Sequence, residues 1–287
     1  MDASQTYEFT IANGVRLHYV AEGSGPLMLM LHGFPEFWYS WRYQIPEFAK
    51  DYRVVALDLR GYNESGKPKN PSAYQMSVLV DDIRAVIESL GYDRAILVGH
   101  DWGGAIAWNV AYAYPSLIEK LIVLNIPHPA KFSEGMQSID QLQKSWYVLA
   151  FQIPGLPELL LQWDDYRAIE SIFVETAANP NVFSAADIEA YKNAAAKRGA
   201  IAAMLSYYRQ IFPNLFEERE WGILQVPTLM VWGEKDTALG KELTFGTDVY
   251  VRDFQVRYIP DVGHWVQQEA PELVNEYMRE FVTIQVA

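Results

Sequence analysis

A carboxylate placed between two small residues is the first sign of chemistry in this sequence. The segment Ala95-Ile-Leu-Val-Gly-His-Asp-Trp-Gly-Gly-Ala105 predicts a buried strand that runs through Gly99-x-Asp101-x-Gly103 into a helix. Small residues two positions before and after the central residue permit a strained turn that lifts its side chain from the sheet, near the helix N-terminus. Because a carboxylate is already ionised at neutral pH, it can act there as a nucleophile. We therefore predict that Asp101 is a nucleophile, with a simple helix cap as the alternative.

An acid and a base follow two later strand-like segments. The sequence Trp232-Gly-Glu-Lys-Asp236 comes after one of them, and Asp261-Val-Gly-His264-Trp265 comes after the next. Open α/β sheets build their sites at the carboxyl ends of their strands, so we expect Asp101, Asp236 and His264 to lie together. In that arrangement Asp236 orients His264, which acts as a general base. When His264 is considered by itself, the alternative is a histidine that has only a structural role in its loop.

The loop after the first buried strand is predicted to stabilise an oxyanion. It reads Leu31-His32-Gly33-Phe34-Pro35. We expect the backbone N–H groups of Phe34 and Trp102 to point at one oxygen atom. The neighbouring His32 and His100 are expected to orient loops through hydrogen bonds and not to transfer protons.

Short apolar runs that alternate with helical segments must position these residues, and this alternation indicates a sheet of βαβ units. An Asn13-Gly14 pair predicts a hairpin near the start of the chain. The predicted strands cover residues 6–11, 15–20, 27–31, 53–57, 95–98, 121–124, 228–232 and 255–259, and the predicted helices cover residues 77–90, 105–114 and 271–281. From about residue 129 to residue 220 helical segments dominate, which predicts a helical insertion.

Length and charge favour one α/β domain interrupted by this insertion. We assign residues 1–128 and 221–287 to a core domain and residues 129–220 to a helical cap. The net charge of −13 is expected to repel nucleic acid and anionic membrane surfaces. Because the apolar runs are short and no leader pattern is seen, we expect a cytoplasmic protein without a membrane partner. A monomer and a homodimer both remain open.

Several other kinds of site are disfavoured by the composition. The 287 residues include no cysteine, which excludes disulfides and thiol nucleophiles. The sequence shows no metal-ligand spacing and no glycine-rich phosphate loop, so we expect neither a metal nor a cofactor. For Asp58 and Arg60 we expect a buried structural ion pair.

Taken in order, the motifs resemble those of soluble-type epoxide hydrolases of the α/β-hydrolase superfamily, over nearly the whole chain. The matching segments are His32-Gly-Phe-Pro-Glu-Phe-Trp-Tyr-Ser-Trp-Arg42, Asp58-Leu-Arg-Gly-Tyr62, Gly99-His-Asp-Trp-Gly-Gly104 and Gly263-His-Trp265. The resemblance implies an α/β-hydrolase fold, with a mostly parallel eight-stranded sheet flanked by helices and an inserted helical cap.

The resemblance also implies two cap tyrosines that donate hydrogen bonds to an epoxide oxygen. Tyr147, four residues before Phe151-Gln-x-Pro-Gly155, matches the first of them. Tyr208, in Tyr207-Tyr-Arg209, matches the second, although Tyr207 stands where the family often has tryptophan. The choice between Tyr207 and Tyr208 as the second donor therefore stays open at the level of sequence.

The implied activity is hydrolysis of a small, mainly apolar epoxide by water to a vicinal diol, through an ester on Asp101. The side chains expected to line the substrate pocket are Phe34, Pro35, Trp38, Trp102, Trp146 and Phe151. Haloalkane and haloacid dehalogenases share this fold and nucleophile and are the alternative. Many of the former have Asn in place of Phe34, and fluoroacetate dehalogenases have Arg in place of Trp102. A ligand-binding relative that has lost turnover is an alternative of another class.

Overall fold

A single twisted sheet carries the candidate residues. The computed structural model describes residues 5–211 and 219–283. The strands are β1 (Thr6–Ala12), β2 (Val15–Glu22), β3 (Leu27–Leu31), β4 (Arg53–Leu57), β5 (Ala95–His100), β6 (Ile118–Leu124), β7 (Thr228–Gly233) and β8 (Phe254–Ile259). Their spatial order is β1-β2-β4-β3-β5-β6-β7-β8. β2 is antiparallel to both of its neighbours, β1 and β4, and every other pairing is parallel. All eight predicted strands are confirmed.

Helices connect the parallel strands and cover both faces of the sheet. They are α1 (Ile45–Phe48), α2 (Met76–Ser89), α3 (Trp102–Ala113), α4 (Pro129–Gly135), α5 (Ile139–Lys144), α6 (Trp146–Ala150), α7 (Leu156–Thr176), α8 (Ala185–Ala195), α9 (Ala200–Ile211), α10 (Val266–Glu269) and α11 (Pro271–Thr283). The three predicted core helices correspond to α2, α3 and α11. Helix α3 starts three residues earlier than predicted, because it begins directly after the turn at Asp101. None of the helices in the described ranges has the length and apolar composition needed to cross a membrane.

The side chains of the central strands alternate between two apolar clusters, one on each face of the sheet. In β3, Leu29 and Leu31 belong to the cluster that contains residues of α2 and α3. Met28 and Met30 belong to the opposite cluster, which contains residues of α1 and α11. Such strands are buried on both faces, which explains why they appear in the sequence as continuous apolar runs.

The helices α4–α9 lie between β6 and β7 in the sequence and pack against the core. Their side chains share the apolar cluster of α2 and α3, through residues such as Phe173 and Tyr207. Polar contacts tie them down as well: the Tyr207 hydroxyl donates to the carbonyl of Arg60 at 2.6 Å, and the Tyr191 hydroxyl donates to Gln268 Oε1 at 2.6 Å. The insertion therefore contacts the sheet near the carboxyl ends of its strands.

Candidate active site

A tight turn between β5 and α3 presents Asp101. Its φ of +49° lies in a region that residues other than glycine rarely adopt. A Cβ atom on Gly103 would lie 2.2 Å from the carbonyl oxygen of Leu31, and one on Gly99 would lie 2.5 Å from the carbonyl oxygen of Gly103. Because both distances are shorter than any van der Waals contact, only glycine fits at these two positions. The turn expected from the sequence is therefore present.

The three side chains that follow β5, β7 and β8 lie next to one another. His264 Nδ1 lies 2.7 Å from Asp236 Oδ2, a hydrogen-bonding distance. On the other side of the ring, His264 Nε2 lies 3.7 Å from Asp101 Oδ2. Since the carboxylate of Asp236 accepts the proton of Nδ1, the other ring nitrogen faces Asp101. This geometry matches a nucleophile, a base and an acid that orients the base.

Electrostatics set the charge of these groups. Burial by itself raises the pKa of Asp101, but interaction with His264 outweighs it, and the pKa of Asp101 is lowered. Burial lowers the pKa of His264, but the charges of Asp236 and Asp101 outweigh that effect and raise the pKa well above its usual value. The resting site thus holds an ionised Asp101 beside a protonated His264.

The backbone N–H of Phe34 donates to Asp101 Oδ1 at 2.8 Å. Trp102 is the first residue of α3, where backbone N–H groups have no partner within the helix. Of the two predicted oxyanion donors, the Phe34 N–H therefore contacts the carboxylate of Asp101, and the Trp102 N–H lies at the start of α3, directly after Asp101 in the chain.

Asn125, directly after β6, holds Asp236 and was not identified from the sequence. Its Nδ2 donates to Asp236 Oδ2 at 2.7 Å, and its Oδ1 accepts from the backbone N–H of Gly233 at 2.9 Å. The other oxygen of Asp236 accepts from the N–H groups of Ala238 and Leu239 at 2.8 and 2.9 Å. A polar residue at the carboxyl end of a buried strand is the signal that would have identified Asn125.

A buried carboxylate, also missed from the sequence, joins the oxyanion loop to the base. Glu36 Oε2 accepts from the backbone N–H of Gly33 at 2.7 Å and lies 2.7 Å from His100 Nδ1. The other ring nitrogen of His100 lies 2.8 Å from the carbonyl oxygen of His264. His32 in turn accepts from the N–H of Leu59. Both histidines orient loops through hydrogen bonds, as the sequence analysis predicted.

Three tyrosines near Asp101 have different environments. Tyr147 and Tyr208 both line the cavities at Asp101, and their ring centroids lie 6.0 Å apart. Tyr207 points elsewhere, because its hydroxyl donates to the carbonyl of Arg60 within the core. Burial and the nearby charge of Asp101 raise the pKa values of Tyr147 and Tyr208, so both hydroxyls keep their protons. Of the two adjacent tyrosines in α9, only Tyr208 lines the cavities that Asp101 also lines.

Two cavities meet at this place. An apolar cavity of about 570 Å³ lies on one side and a second cavity of about 550 Å³ on the other. Both are lined by Asp101, Tyr147 and Tyr208. Both cavities therefore reach Asp101, and their volumes are in the range of pockets that bind small molecules.

Some of the residues proposed to line the pocket lie in the walls of the two cavities, and others do not. Phe34, Trp146 and Phe151 line the apolar cavity, and Trp102 lines the second cavity. Pro35 and Trp38 line neither of these two cavities. Pro35 is buried, after a cis peptide bond from Phe34. The ring of Trp38 instead packs edge-on against Tyr7 at 5.6 Å.

The predicted ion pair between Asp58 and Arg60 was wrong. Asp58 Oδ2 lies 2.6 Å from His18 Nδ1. Arg60 pairs instead with Asp82, with two contacts of 2.6 and 2.7 Å. Asp58 and Arg60 are both buried, and each has its partner on a different element, His18 on β2 and Asp82 on α2. Among the side chains of residues 5–211 and 219–283, no group of three or more acids and histidines is arranged to hold a metal ion.

Comparison with known proteins agrees with this geometry. Residues 26–271 match the family described as the alpha/beta hydrolase fold. The chain is 41% identical over 278 residues to epoxide hydrolase 4 of Mus musculus, which covers 94% of this chain and 77% of that protein. It is 45% identical over 276 residues to epoxide hydrolase 1 of Caenorhabditis elegans, covering 93% and 68%.

A solved structure has the same architecture. It is a mutant epoxide hydrolase from Bacillus megaterium in complex with its product, (R)-3-(1-naphthyloxy)-propane-1,2-diol. The TM-score is 0.91 at 37% sequence identity, and the match covers 96% of this chain and 100% of the other.

Proposed function

The chain belongs to the α/β-hydrolase fold family and, within it, to the epoxide hydrolases, and we propose that it converts small, mainly apolar epoxides to vicinal diols through an ester on Asp101. The observation that carries this proposal is the convergence of Asp101, Tyr147 and Tyr208 where the two cavities meet. An ionised carboxylate and two protonated hydroxyls at one place supply both a nucleophile and proton donors.

In the first half of the proposed reaction, Asp101 opens the epoxide ring. Oδ2 attacks the less hindered epoxide carbon, the C–O bond to that carbon breaks, and the electron pair stays on the epoxide oxygen. Tyr147 and Tyr208 donate hydrogen bonds to that oxygen, and one of them gives its proton to the alkoxide, which becomes a hydroxyl group. The resulting tyrosinate regains a proton from solvent, and the protonated His264 gives its proton to solvent, which leaves His264 neutral. The product is an alkyl ester of Asp101, in which Oδ1 is the carbonyl oxygen held by the Phe34 N–H.

In the second half, water cleaves the ester. Loss of the charge on Asp101 removes one of the contributions that raise the pKa of His264, so His264 becomes a better base. His264, oriented by Asp236, takes a proton from water, and the hydroxide attacks the carbonyl carbon of Asp101. The oxyanion forms on Oδ1 between the N–H groups of Phe34 and Trp102. The intermediate collapses when the bond from its central carbon to the diol oxygen breaks, and that oxygen takes the proton from His264 as the diol leaves. Asp101, now a carboxylic acid, gives its proton to His264, which restores the ionised carboxylate.

The insertion supplies the acids, and the core supplies the nucleophile and the base. Tyr147 and Tyr208 lie in α6 and α9, whereas Asp101 and His264 follow core strands. We therefore propose that residues 129–220 act as a cap over a core of residues 1–128 and 221–287. Such a cap excludes water from the alkylation step and shapes the pocket.

The test is a single turnover of styrene oxide or 1-naphthyl glycidyl ether in heavy-oxygen water. The label should enter Asp101 and be absent from the first diol released. Direct attack of water on the epoxide would instead label that first diol and would refute the ester. Asp101→Asn should form no diol. Halide release from bromoalkanes, measured in parallel, distinguishes a dehalogenase.

A further inference from the structure

The start of the helical insertion exposes an unusual number of large apolar side chains. They are Trp146 (65% exposed), Leu149 (50%), Ile153 (47%), Leu156 (46%), Leu159 (67%), Leu160 (59%) and Trp163 (75%). These residues, called here the apolar face, come from α6, the loop after it and the start of α7. At the start of α7, Leu156, Leu159 and Leu160 have the i, i+3, i+4 spacing of one helix side, and Trp163 follows them at a kink where residues 163–166 leave the helical backbone angles. An exposed apolar cluster of this kind marks an interaction surface.

The apolar face carries no net charge. Between residues 146 and 163 the only charged residue is Glu158. Its carboxylate is neutralised by Arg209, whose Nη1 and Nη2 lie 2.7 and 3.1 Å from its two oxygens. The chain as a whole has a net charge of −13. A second copy would bring the same excess of negative charge, whereas an electrically neutral surface would not be repelled.

The apolar face is continuous with the apolar cavity. Trp146, Ile153, Leu156 and Leu160 are exposed to solvent and also line that cavity. The cavity extends from these side chains to Asp101. A molecule dissolved in an apolar phase in contact with this face would thus reach the nucleophile through a cavity lined mainly by apolar side chains. A second copy on the same face would cover this entrance.

We infer that the apolar face docks on a zwitterionic lipid surface, from which apolar epoxides enter the apolar cavity directly. Trp146 and Trp163 at its two ends suit the boundary between lipid headgroups and chains, and the leucines between them suit shallow insertion. The negative charge that argues against an anionic membrane does not oppose a neutral one. The docking stands by itself, while the delivery of substrate rests on the proposed function.

Docking is tested by co-flotation of the full chain with phosphatidylcholine vesicles at physiological salt. The variant Leu159→Glu/Trp163→Glu changes two exposed residues that line neither cavity. It should reduce the bound fraction by about tenfold or more, because each buried apolar side chain contributes to partitioning. The matched control Ile11→Glu/Val249→Glu adds the same two charges at exposed apolar sites on the core, 70% and 63% exposed, and should bind like the wild type.

Three results would overturn the inference. They are a wild-type chain that does not float with the vesicles, equal binding by both double variants, and a dimer in light scattering that only Leu159→Glu/Trp163→Glu dissociates. Circular dichroism verifies that each variant is folded, and Leu159→Ser/Trp163→Ser replaces the first variant if it is not. Because the vesicles contain no epoxide, the outcome does not depend on the proposed activity.

Substrate delivery is tested separately. Turnover of an apolar epoxide dissolved in phosphatidylcholine vesicles should fall in Leu159→Glu/Trp163→Glu in proportion to the lost binding. Turnover of a water-soluble epoxide without vesicles should stay unchanged in the same variant. If the wild type and Leu159→Glu/Trp163→Glu turned over the vesicle-dissolved epoxide equally fast, substrate delivery would be refuted. The docking of the apolar face on lipid would not be affected by that result.

Discussion

Nε2 of His264 lies 3.7 Å from Oδ2 of Asp101, too far for a hydrogen bond. The other carboxylate oxygen, Oδ1, accepts a hydrogen bond from the Phe34 N–H at 2.8 Å. The two oxygens of Asp101 therefore have different environments. In the proposed reaction Oδ2 attacks the substrate, Oδ1 becomes the oxyanion, and His264 activates the water.

Replacing the base should trap the ester. In His264→Gln the first half-reaction needs no base, whereas water activation is lost, so hydrolysis should slow by about 100-fold or more. Intact-mass spectrometry during turnover should show the chain heavier by the mass of one substrate molecule. The double variant Asp101→Asn/His264→Gln is the control and should show no adduct. An adduct in that double variant would mean that another residue is the nucleophile.

Removing a proton donor should slow ring opening. Tyr147→Phe and Tyr208→Phe should each reduce the rate of ester formation by about 100-fold, since the alkoxide then forms with one donor fewer. Stopped-flow fluorescence in single turnover measures this step. Tyr207→Phe is the matched control from the neighbouring position, because its hydroxyl serves the carbonyl of Arg60. A larger effect at Tyr207 than at Tyr208 would reverse the assignment.

The two half-reactions should respond to pH in different ways. Ester formation needs an ionised Asp101, whose pKa is lowered, so it should persist below about pH 4, where an ordinary aspartate is protonated. Ester hydrolysis needs a neutral His264, and its rate should rise with pH to a plateau. In Asp236→Asn the charge that raises the pKa of His264 is lost, so the midpoint should move to lower pH. If the rates of ester formation and of ester hydrolysis depended on pH in the same way, this account would be contradicted.

Asn125 should matter for stability and for hydrolysis. Asn125→Ala leaves the buried N–H of Gly233 and one oxygen of Asp236 without this partner. The free energy of unfolding should decrease by about 1–3 kcal/mol, measured by denaturant titration. Hydrolysis of the ester should slow more than its formation, because Asp236 orients His264. Asn193→Ala, which removes an exposed contact with Glu189, is the control and should change neither quantity.

A methyl group at the turn should destabilise the fold. In Gly103→Ala the new Cβ would lie 2.2 Å from the backbone of Leu31, and relief of this clash requires β3 and α3 to separate. We expect a loss of about 1–3 kcal/mol or more in the free energy of unfolding. Gly222→Ala is the control, since a Cβ there would have no heavy atom within 4 Å. Equal stability of the two variants would show that the turn does not need its glycine.

The strands, and the convergence of Asp101, Asp236 and His264 beside them, could be predicted from the sequence because both depend on local patterns. Continuous apolar runs specify strands buried on both faces, and parallel strands bring their carboxyl ends to one edge. Asp101 and Asp236 each follow such a strand, and His264 follows the parallel edge strand β8, so their convergence required no knowledge of side-chain packing. The small residues around Asp101 are equally local, since the turn itself requires them.

The partners of buried side chains could not be predicted this way, because contacts between distant segments decide them. Asp58 pairs with His18 across 40 positions, and Arg60 pairs with Asp82, although the adjacent charges suggested each other. Asn125 gains its role only because β7 pairs with β6. These pairings depend on which strands and helices become neighbours, and the sequence around each residue does not contain that information.

By itself, then, the sequence determined which reactive side chains stand at the ends of the strands. The tertiary structure decided which other side chains surround them. Tyr207 and Tyr208 are neighbours in one helix, but successive residues project about 100° apart. The packing of α9 therefore turns the Tyr207 hydroxyl toward the carbonyl of Arg60 and places Tyr208 in the lining of the cavities at Asp101. In the same way, packing leaves Trp146 at the entrance of the apolar cavity and places Trp38 against Tyr7. The periodicity of apolar residues specifies a helix, but only the elements that pack against the helix specify its orientation.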